Sequence, residues 1–147
     1  MFLLDTNVIS ELRSGKRRPS AAVRAWADTV PAHQLYLSAV SVLELEMGVL
    51  RMERKDALQG AILRAWATTV IQQFQDQVLP FTAQTAQLCA PMHVPDARSF
   101  RDSMIAATAI QHRLILVTRN VSDFEGLGIA LLNPWAPQRS PAPKSMD

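Results

Sequence analysis

The sequence predicts an α/β domain in which helices cover both faces of a parallel sheet. Five short apolar runs alternate with segments whose apolar residues recur at helical spacing, and this alternation is typical of parallel strands joined by crossover helices. The runs at residues 2–4 and 114–117 are apolar throughout, as expected for buried strands of such a sheet. The 147 residues are enough for one domain with its own core.

Each predicted strand is an apolar run bounded by turn residues. The first run stops at Asp5, and the sequence Asn133-Pro134-Trp135 closes the last one. Pro80 places the third strand at an edge of the sheet, because proline cannot donate to the hydrogen-bond ladder of a central strand. The predicted strands cover residues 2–4, 35–38, 78–81, 114–117 and 129–132.

The predicted helices are recognised by the residues that can cap or break them. Ser20 and Thr82 can cap two of them, and Ser41 with Glu44 forms a capping box that starts another. Pro31 ends the second helix, because the residue before a proline avoids the α conformation. The predicted helices cover residues 8–13, 20–30, 41–52, 56–75, 82–90 and 100–112.

The composition excludes two classes of protein. No apolar run approaches the 18 residues of a membrane span, and the N-terminus lacks the basic segment of a signal peptide, so we expect a cytoplasmic protein. The single cysteine, Cys89, excludes an internal disulfide.

Residues 1–135 are predicted to form the domain. Residues 136–147, which are rich in Pro, Ser and Ala, are predicted to form a disordered tail.

The charge of the chain is mildly basic. The formal net charge is +2, from 15 basic and 13 acidic residues, and the isoelectric point is near 9.1. Such a balance is compatible with nucleic-acid binding. Four basic residues lie in one early loop, namely Arg13, Lys16, Arg17 and Arg18. A solvated surface explains this group as well as a nucleic-acid contact does.

Four acidic residues fall where a parallel sheet would bring them to one rim, since ligands bind at the carboxyl ends of such strands. They are Asp5 after the first strand, Glu44 after the second, Asp102 in the first turn of the helix that feeds the fourth, and Asp123 after the fourth. A helix cap also explains Asp5, and a capping box explains Glu44. A favourable helix dipole explains Asp102, and a turn explains Asp123.

Acids gathered in one place predict a bound cation, because like charges raise one another's pKa and a cation relieves that cost. Hard divalent ions such as Mg²⁺ and Mn²⁺ prefer oxygen ligands. Such a site suits phosphodiester hydrolysis, in which the metal activates a water and neutralises charge on the phosphate. The histidines lack ligand spacing, Cys89 lacks a zinc partner, and no Gly-rich phosphate loop occurs.

Several segments in order resemble one known family. They are LDTNVISE at residues 4–11, LS, EL and GV between residues 37 and 49, DSMIAATA at 102–109, VTRNVSDF at 117–124 and LNPW at 132–135. With them the chain resembles a PIN-domain ribonuclease of the VapC toxin class, in its FitB-like branch. The resemblance implies a PIN-like three-layer α/β/α fold with a five-stranded parallel sheet.

The resemblance also implies an activity and partners. It implies a Mg²⁺- or Mn²⁺-dependent endoribonuclease that is the toxin of a type II toxin–antitoxin pair. Such toxins form homodimers and are held inactive by a cognate antitoxin, which binds DNA.

Individual residues receive roles from the same resemblance. The implied metal-binding and catalytic acids are Asp5, Glu44, Asp102 and, as the fourth, Asp123. The implied site-lining residues are Thr6, Asn7, Thr118 and the neutral Asn120. The basic residues expected to contact RNA are Lys16, Arg17 and Arg18. Two further acids, Glu11 and Glu46, are expected at the surface or facing the antitoxin.

Two other functions are compatible with the sequence. A catalytically inactive PIN-like domain would only bind RNA or a partner protein, and Asn120, where some relatives carry an acid, favours it. A receiver-like module would be phosphorylated on an aspartate at a strand end, but Asp5 has no acidic pair beside it.

Overall fold

A five-stranded parallel sheet lies between two layers of helices in the computed structural model, which describes residues 1–136. The strands are β1 (Phe2–Leu4), β2 (Leu35–Ser38), β3 (Val78–Leu79), β4 (Ile115–Val117) and β5 (Leu131–Leu132). The helices are α1 (Thr6–Glu11), α2 (Ala21–Asp28), α3 (Ala39–Lys55), α4 (Ala57–Gln73), α5 (Ala83–Cys89) and α6 (Phe100–His112). The predicted α/β class is confirmed. Apart from its first residue, the predicted tail at 136–147 lies outside the described residues.

The strand order, β3-β2-β1-β4-β5, places β1 at the centre of the sheet. The chain fills one side of β1 with β2 and β3, and then crosses to fill the other side with β4 and β5. The boundary between β1 and β4 is therefore the point where the strand order reverses, and such points hold ligands in open α/β sheets. The Asp5 N–H donates to the Val117 carbonyl at 2.9 Å, so the two strands end side by side.

The core has two parts, one on each face of the sheet, because successive strand residues point in opposite directions. Leu3 is buried against α6, where Ala106 and Ala109 let the helix approach the sheet closely. Leu4 is buried on the opposite face. That face is covered by buried residues from four helices: Val8 and Ile9 of α1, Val23 of α2, Leu45 of α3 and Val70 of α4. α5 packs on α6.

The predicted elements are present with shifted ends. α1 begins at Thr6, two residues before the predicted start, because Asp5 caps it. β5 is two residues shorter than predicted, since only Leu131 and Leu132 pair with β4. β3 pairs with β2 alone, which confirms its predicted edge position. Among residues 1–136, no helix combines the length and the apolar character needed to span a membrane.

Candidate active site

Asp5 directly follows β1 and is completely buried. Its Oδ1 accepts a hydrogen bond from the Thr6 N–H at 2.8 Å, which caps α1. Its Oδ2 accepts from Thr118 Oγ1 at 2.7 Å and from Asn7 Nδ2 at 3.5 Å. Thr118 follows β4, so this bond crosses the point where the strand order reverses. Asp5 is therefore both a helix cap and a carboxylate fixed at the rim of the sheet.

Glu44 reaches the same place from α3, and its position corrects the predicted capping box. α3 begins at Ala39, and its N-cap is Ser38, whose Oγ accepts from the Ser41 N–H at 3.1 Å. The predicted start at Ser41 is wrong because Ser38, at the end of β2, caps the helix earlier. Glu44 is consequently the sixth residue of α3, beyond the capping turn. Its Oε1 accepts from Thr6 Oγ1 at 2.8 Å instead.

Asp102 arrives from the start of α6, as the sequence predicts. It is the third residue of the helix, and its N–H donates to Oγ of the N-cap Ser99 at 3.3 Å. A carboxylate in this first turn is stabilised by the positive end of the helix dipole. The third acid of the cluster is thus held by α6, whose buried residues pack with Leu3 on the face of the sheet opposite Leu4.

Arg101 joins the three acids, and the sequence analysis missed it. Its Nη2 donates to Asp5 Oδ1 at 2.5 Å, its Nε to Glu44 Oε2 at 2.6 Å, and its Nη1 to Asp102 Oδ1 at 2.8 Å. Partial burial of the guanidinium opposes its charged form, but the hydrogen bond to Glu44 and the attraction of Asp5 raise the pKa of Arg101 above its usual range. The only local signal was its place beside Asp102, and a basic residue next to an acid is common.

The three acids fit a divalent cation in chemical type and charge. Each carboxylate points an oxygen at one common cation, and hard divalent ions prefer such oxygen donors. Three carboxylates minus one guanidinium leave two net negative charges. The cation at the centre is Arg101 itself, and within residues 1–136 no three His, Cys, Asp or Glu side chains stand close enough to hold a metal ion as placed. A metal would therefore require the acids to close around a smaller ion.

The acid cluster lies at the base of an open cleft of about 630 Å³. Asp123 lines this cleft from the 3₁₀ turn Val121–Phe124, but no hydrogen bond or ion pair described for residues 1–136 joins it to the other three acids. Asn120 lines the cleft too, and its N–H donates to Thr118 Oγ1 at 3.1 Å. The structure thus brings three of the four predicted acids together and leaves Asp123 on the wall.

Glu11 anchors the basic loop, so its predicted surface position is wrong. The residue is only 4% exposed, and its Oε1 accepts from the Ser20 N–H at 2.6 Å while Oε2 binds Lys16 Nζ. The hydrogen bond from Lys16 lowers the pKa of Glu11, although burial opposes this effect. Lys16 is thereby held at the cleft wall, and Arg17 and Arg18 are exposed beside it.

Of two further charged residues, Arg119 lines the cleft and Glu46 does not. Arg119, which the sequence analysis did not single out, stacks over Trp135, with Cζ 5.3 Å from the ring centroid. The sequence feature that could have identified Arg119 was its position directly after Thr118. Glu46 keeps the expected surface position and binds Arg64 of α4 at 2.7 Å.

Comparison with known proteins finds relatives along nearly the whole chain. A family model described as "PIN domain" matches residues 2–127. The protein named "VapC ribonuclease Y4jK" of Sinorhizobium fredii is 37% identical over 149 aligned positions, which cover 93% of this chain and 99% of the relative. "Toxin FitB" of Neisseria gonorrhoeae is 36% identical over 145 positions, covering 92% of this chain and 99% of the relative.

Solved structures show the same likeness in three dimensions. The structure titled "Crystal Structure of FitAcB from Neisseria gonorrhoeae" contains a chain with a TM-score of 0.81 and 34% identity, covering 92% of this chain and 99% of that one. A chain in "Structure of FitAB bound to IR36 DNA fragment" has a TM-score of 0.78 and 32% identity, covering 95% and 99%. The predicted three-layer fold is thereby confirmed.

Proposed function

The chain belongs to the PIN-domain family, and from this premise we propose that it hydrolyses RNA as the toxin of a toxin–antitoxin pair. Relatives named VapC ribonuclease and Toxin FitB match it along almost their whole length, so the chain is a ribonuclease of the PIN toxin class. The observation that carries the site assignment is the convergence of Asp5, Glu44 and Asp102, from three distant segments, on one cation.

We assign the metal ligands to these same three acids. PIN nucleases use a divalent metal, and the all-oxygen donor set favours Mg²⁺, with Mn²⁺ as a substitute. When bound, the metal supplies activation of a water and neutralisation of charge on the phosphate. Asp123 is proposed as a fourth, more distant ligand that acts through water, because it lines the cleft without contacting the cluster.

The neighbouring residues orient the acids and admit the substrate. Thr118 and Thr6 each donate a hydroxyl hydrogen bond to a different acid, and such outer contacts fix the ligand geometry of metal sites. The open cleft admits a polynucleotide strand, and Lys16 and Arg119 on its walls are placed to neutralise phosphates. Exposed Arg17 and Arg18 extend this basic surface, so binding of RNA should weaken as salt is added.

Replacement of Asp5 tests the assignment directly. The Asp5→Asn variant keeps the size of the side chain but removes the most buried charge of the cluster, and we expect its RNA cleavage to fall more than about 100-fold. The assay uses the full chain, purified free of any partner protein, with RNA and either Mg²⁺ or EDTA. Circular dichroism and a thermal melt show whether the variant is folded.

Two further variants serve as comparisons in the same assay. The RNA cleavage activity of Asp102→Asn should fall as far as that of Asp5→Asn. Asp123→Asn should lose less activity, because Asp123 lies outside the cluster. Cleavage that persists in EDTA, or a folded Asp5→Asn variant with wild-type cleavage, would contradict the assigned site. Sequencing the ends of the cleaved RNA would identify the substrate sequence.

One observation favours the catalytically inactive alternative, since Arg101 stands at the centre of the acids where a metal would bind. If Arg101 permanently keeps the metal out, the domain would neither cleave RNA nor bind Mn²⁺, even after purification from its partner. Direct measurement of Mn²⁺ binding therefore separates the two functions without depending on the choice of RNA substrate.

We also propose that the chain pairs with a DNA-binding antitoxin, which holds it inactive, and forms a homodimer. One solved relative is titled "Structure of FitAB bound to IR36 DNA fragment", and a curated relative is named "Toxin FitB". Five large apolar side chains on two neighbouring helices are exposed and available to a protein partner: Leu43, Met47 and Leu50 of α3, and Leu58 and Ile62 of α4. Copurification with the product of an adjacent small reading frame, and light scattering of the isolated chain, test the two parts.

A further inference from the structure

The guanidinium of Arg101 is fully engaged with the acid cluster. Each of its three nitrogens donates to a different carboxylate, and the contacts with Asp5 and Glu44 span 96 and 57 residues of sequence. A planar guanidinium that donates to three acids is a structured contact, because it needs all three acceptors to lie near its plane. Arg101 is therefore as much part of the site as the acids.

Arg101 also controls access to Asp5. The buried carboxylate accepts from the Thr6 backbone, from Thr118 and from Asn7, which are short groups fixed by the end of β4 or the start of α1. Arg101 differs from them because its side chain is long and 33% exposed to the cleft. A cation that binds Asp5 from the cleft must take the place of the guanidinium.

We propose that Arg101 is a resident counter-ion, which holds the three acids together in the metal-free protein and competes with the divalent metal for them. The inference rests on the proposed metal site and adds a residue to it. Without Arg101, three carboxylates would face one another unpaired, at a cost in folding free energy. With Arg101 in place, a metal binds only when the side chain swings out into the cleft.

The competition predicts a measurable gain in metal affinity. A site that is vacant for only a fraction of the time binds its ligand more weakly by that fraction. If Arg101 is seated for about nine-tenths of the time, its removal should strengthen Mn²⁺ binding about tenfold. The experiment is isothermal titration of Mn²⁺ into the full-length protein, stripped with EDTA, for the wild type and for Arg101→Gln.

Arg119→Gln is the matched control. Arg119 lines the same cleft, but within residues 1–136 no ion pair joins it to the acid cluster. The variant therefore lowers the positive charge of the cleft by one without freeing the acids. We expect Arg101→Gln to gain about tenfold in affinity and Arg119→Gln less than about twofold.

A second readout covers the case in which Arg101→Gln is unstable. In EDTA its melting temperature should lie below that of the wild type, and Mn²⁺ should raise it by more than it raises that of the wild type. Arg101→Lys, which keeps the charge but offers a compact donor, should be intermediate in both measurements.

Three outcomes of the Mn²⁺ titrations would overturn the proposed competition. Equal Mn²⁺ affinity in wild type and Arg101→Gln would overturn the competition and leave the metal site standing. Equal gains in Arg101→Gln and Arg119→Gln would also overturn it, since general electrostatics would then explain the effect. Absence of Mn²⁺ binding to every variant would overturn the proposed metal site and this inference together.

Discussion

Thr118 is the buried residue on which the position of Asp5 depends. Its hydroxyl donates to Asp5 Oδ2 and accepts from the Asn120 N–H and from Asn7 Nδ2, so it serves three partners inside the protein. Thr118→Val keeps the shape of the side chain but removes all three hydrogen bonds and leaves the Asn120 N–H without this acceptor. We expect the free energy of unfolding to fall by about 1–3 kcal/mol, measured by equilibrium urea denaturation.

Thr118→Ser provides the control, because it keeps the hydroxyl and removes one methyl group. Loss of a single buried methyl should cost only about 1 kcal/mol. If the serine variant proved less stable than the valine variant, the methyl contact would matter more than the hydrogen bonds, and the role given to the hydroxyl would be wrong.

Glu11 makes stability depend on pH. Its pKa in the folded protein lies below the ordinary value of 4.5, chiefly because Lys16 donates to it. A carboxyl whose pKa is lowered by folding stabilises the protein above its unfolded value, and this contribution disappears as pH falls through the folded value. Wild type should therefore exceed Glu11→Gln in stability at pH 7, and the difference should shrink below pH 4.5.

Comparing the wild type with Glu11→Gln isolates the contribution of Glu11 to stability, since the other acids titrate in both proteins. Urea denaturation at several pH values between 7 and 3 supplies the free energies. A stability difference that stayed constant over this range would show that the charge of Glu11 is unimportant for anchoring the loop.

The acids were predictable from the sequence, and their counter-ion was not. Asp5 and Asp102 are marked by a strand end and a helix start, which are local features. Arg101 has its role because three segments meet around its side chain, and no local pattern encodes that meeting. Glu11 was misplaced for a similar reason, because its burial depends on the loop that folds back over it.

The hairpin of α3 and α4 depends on a single residue at its turn. Asp56 ends α3 and caps α4, where its side chain accepts from the N–H groups of Leu58 and Gln59 at 3.1 Å. Just beyond these residues, the helices cross so closely that a Cβ at Gly60 would lie 2.5 Å from Glu53 Cα. Because that neighbour is backbone, it cannot move without shifting a helix.

Gly60→Ala should therefore destabilise the protein by about 1–3 kcal/mol in urea denaturation, because one of the two helices must move apart from the other. Gly48→Ala is the matched control, since Gly48 also lies inside a helix and a methyl group added there would meet nothing within 4 Å. There alanine should be neutral or stabilise by about 0.5–1 kcal/mol. Similar losses in both variants would mean that the close approach at Gly60 is unimportant.

Local sequence patterns predicted which elements exist better than where they start. The apolar runs and helical spacing located all five strands and six helices of the described region. The start of α3 was misplaced because Ser38 and Ser41 are both good caps, and only the end of β2 decides between them. A cap is chosen by where the chain enters the helix, which the residues of the helix alone do not determine.

The position of the site depends on the order of the strands in the sheet. The alternation of strands and helices along the sequence does not determine that order. The same alternation is compatible with several orders of five parallel strands. β1 lies beside β4 because residues more than 100 positions apart pair, such as Phe2 with Ile115. The resemblance to PIN domains implied a five-stranded parallel sheet without its strand order, and the structure supplies that order.

The central place of β1 also bears on how the protein is made. Translation delivers Asp5 and Glu44 before Asp102 and Thr118, because they come earlier in the sequence. Until β4 emerges from the ribosome, β1 lacks one of its two neighbours and Asp5 lacks its partner Thr118. The acid site is therefore incomplete in a nascent chain until β4 has emerged, and we expect no cleavage by the chain before that point.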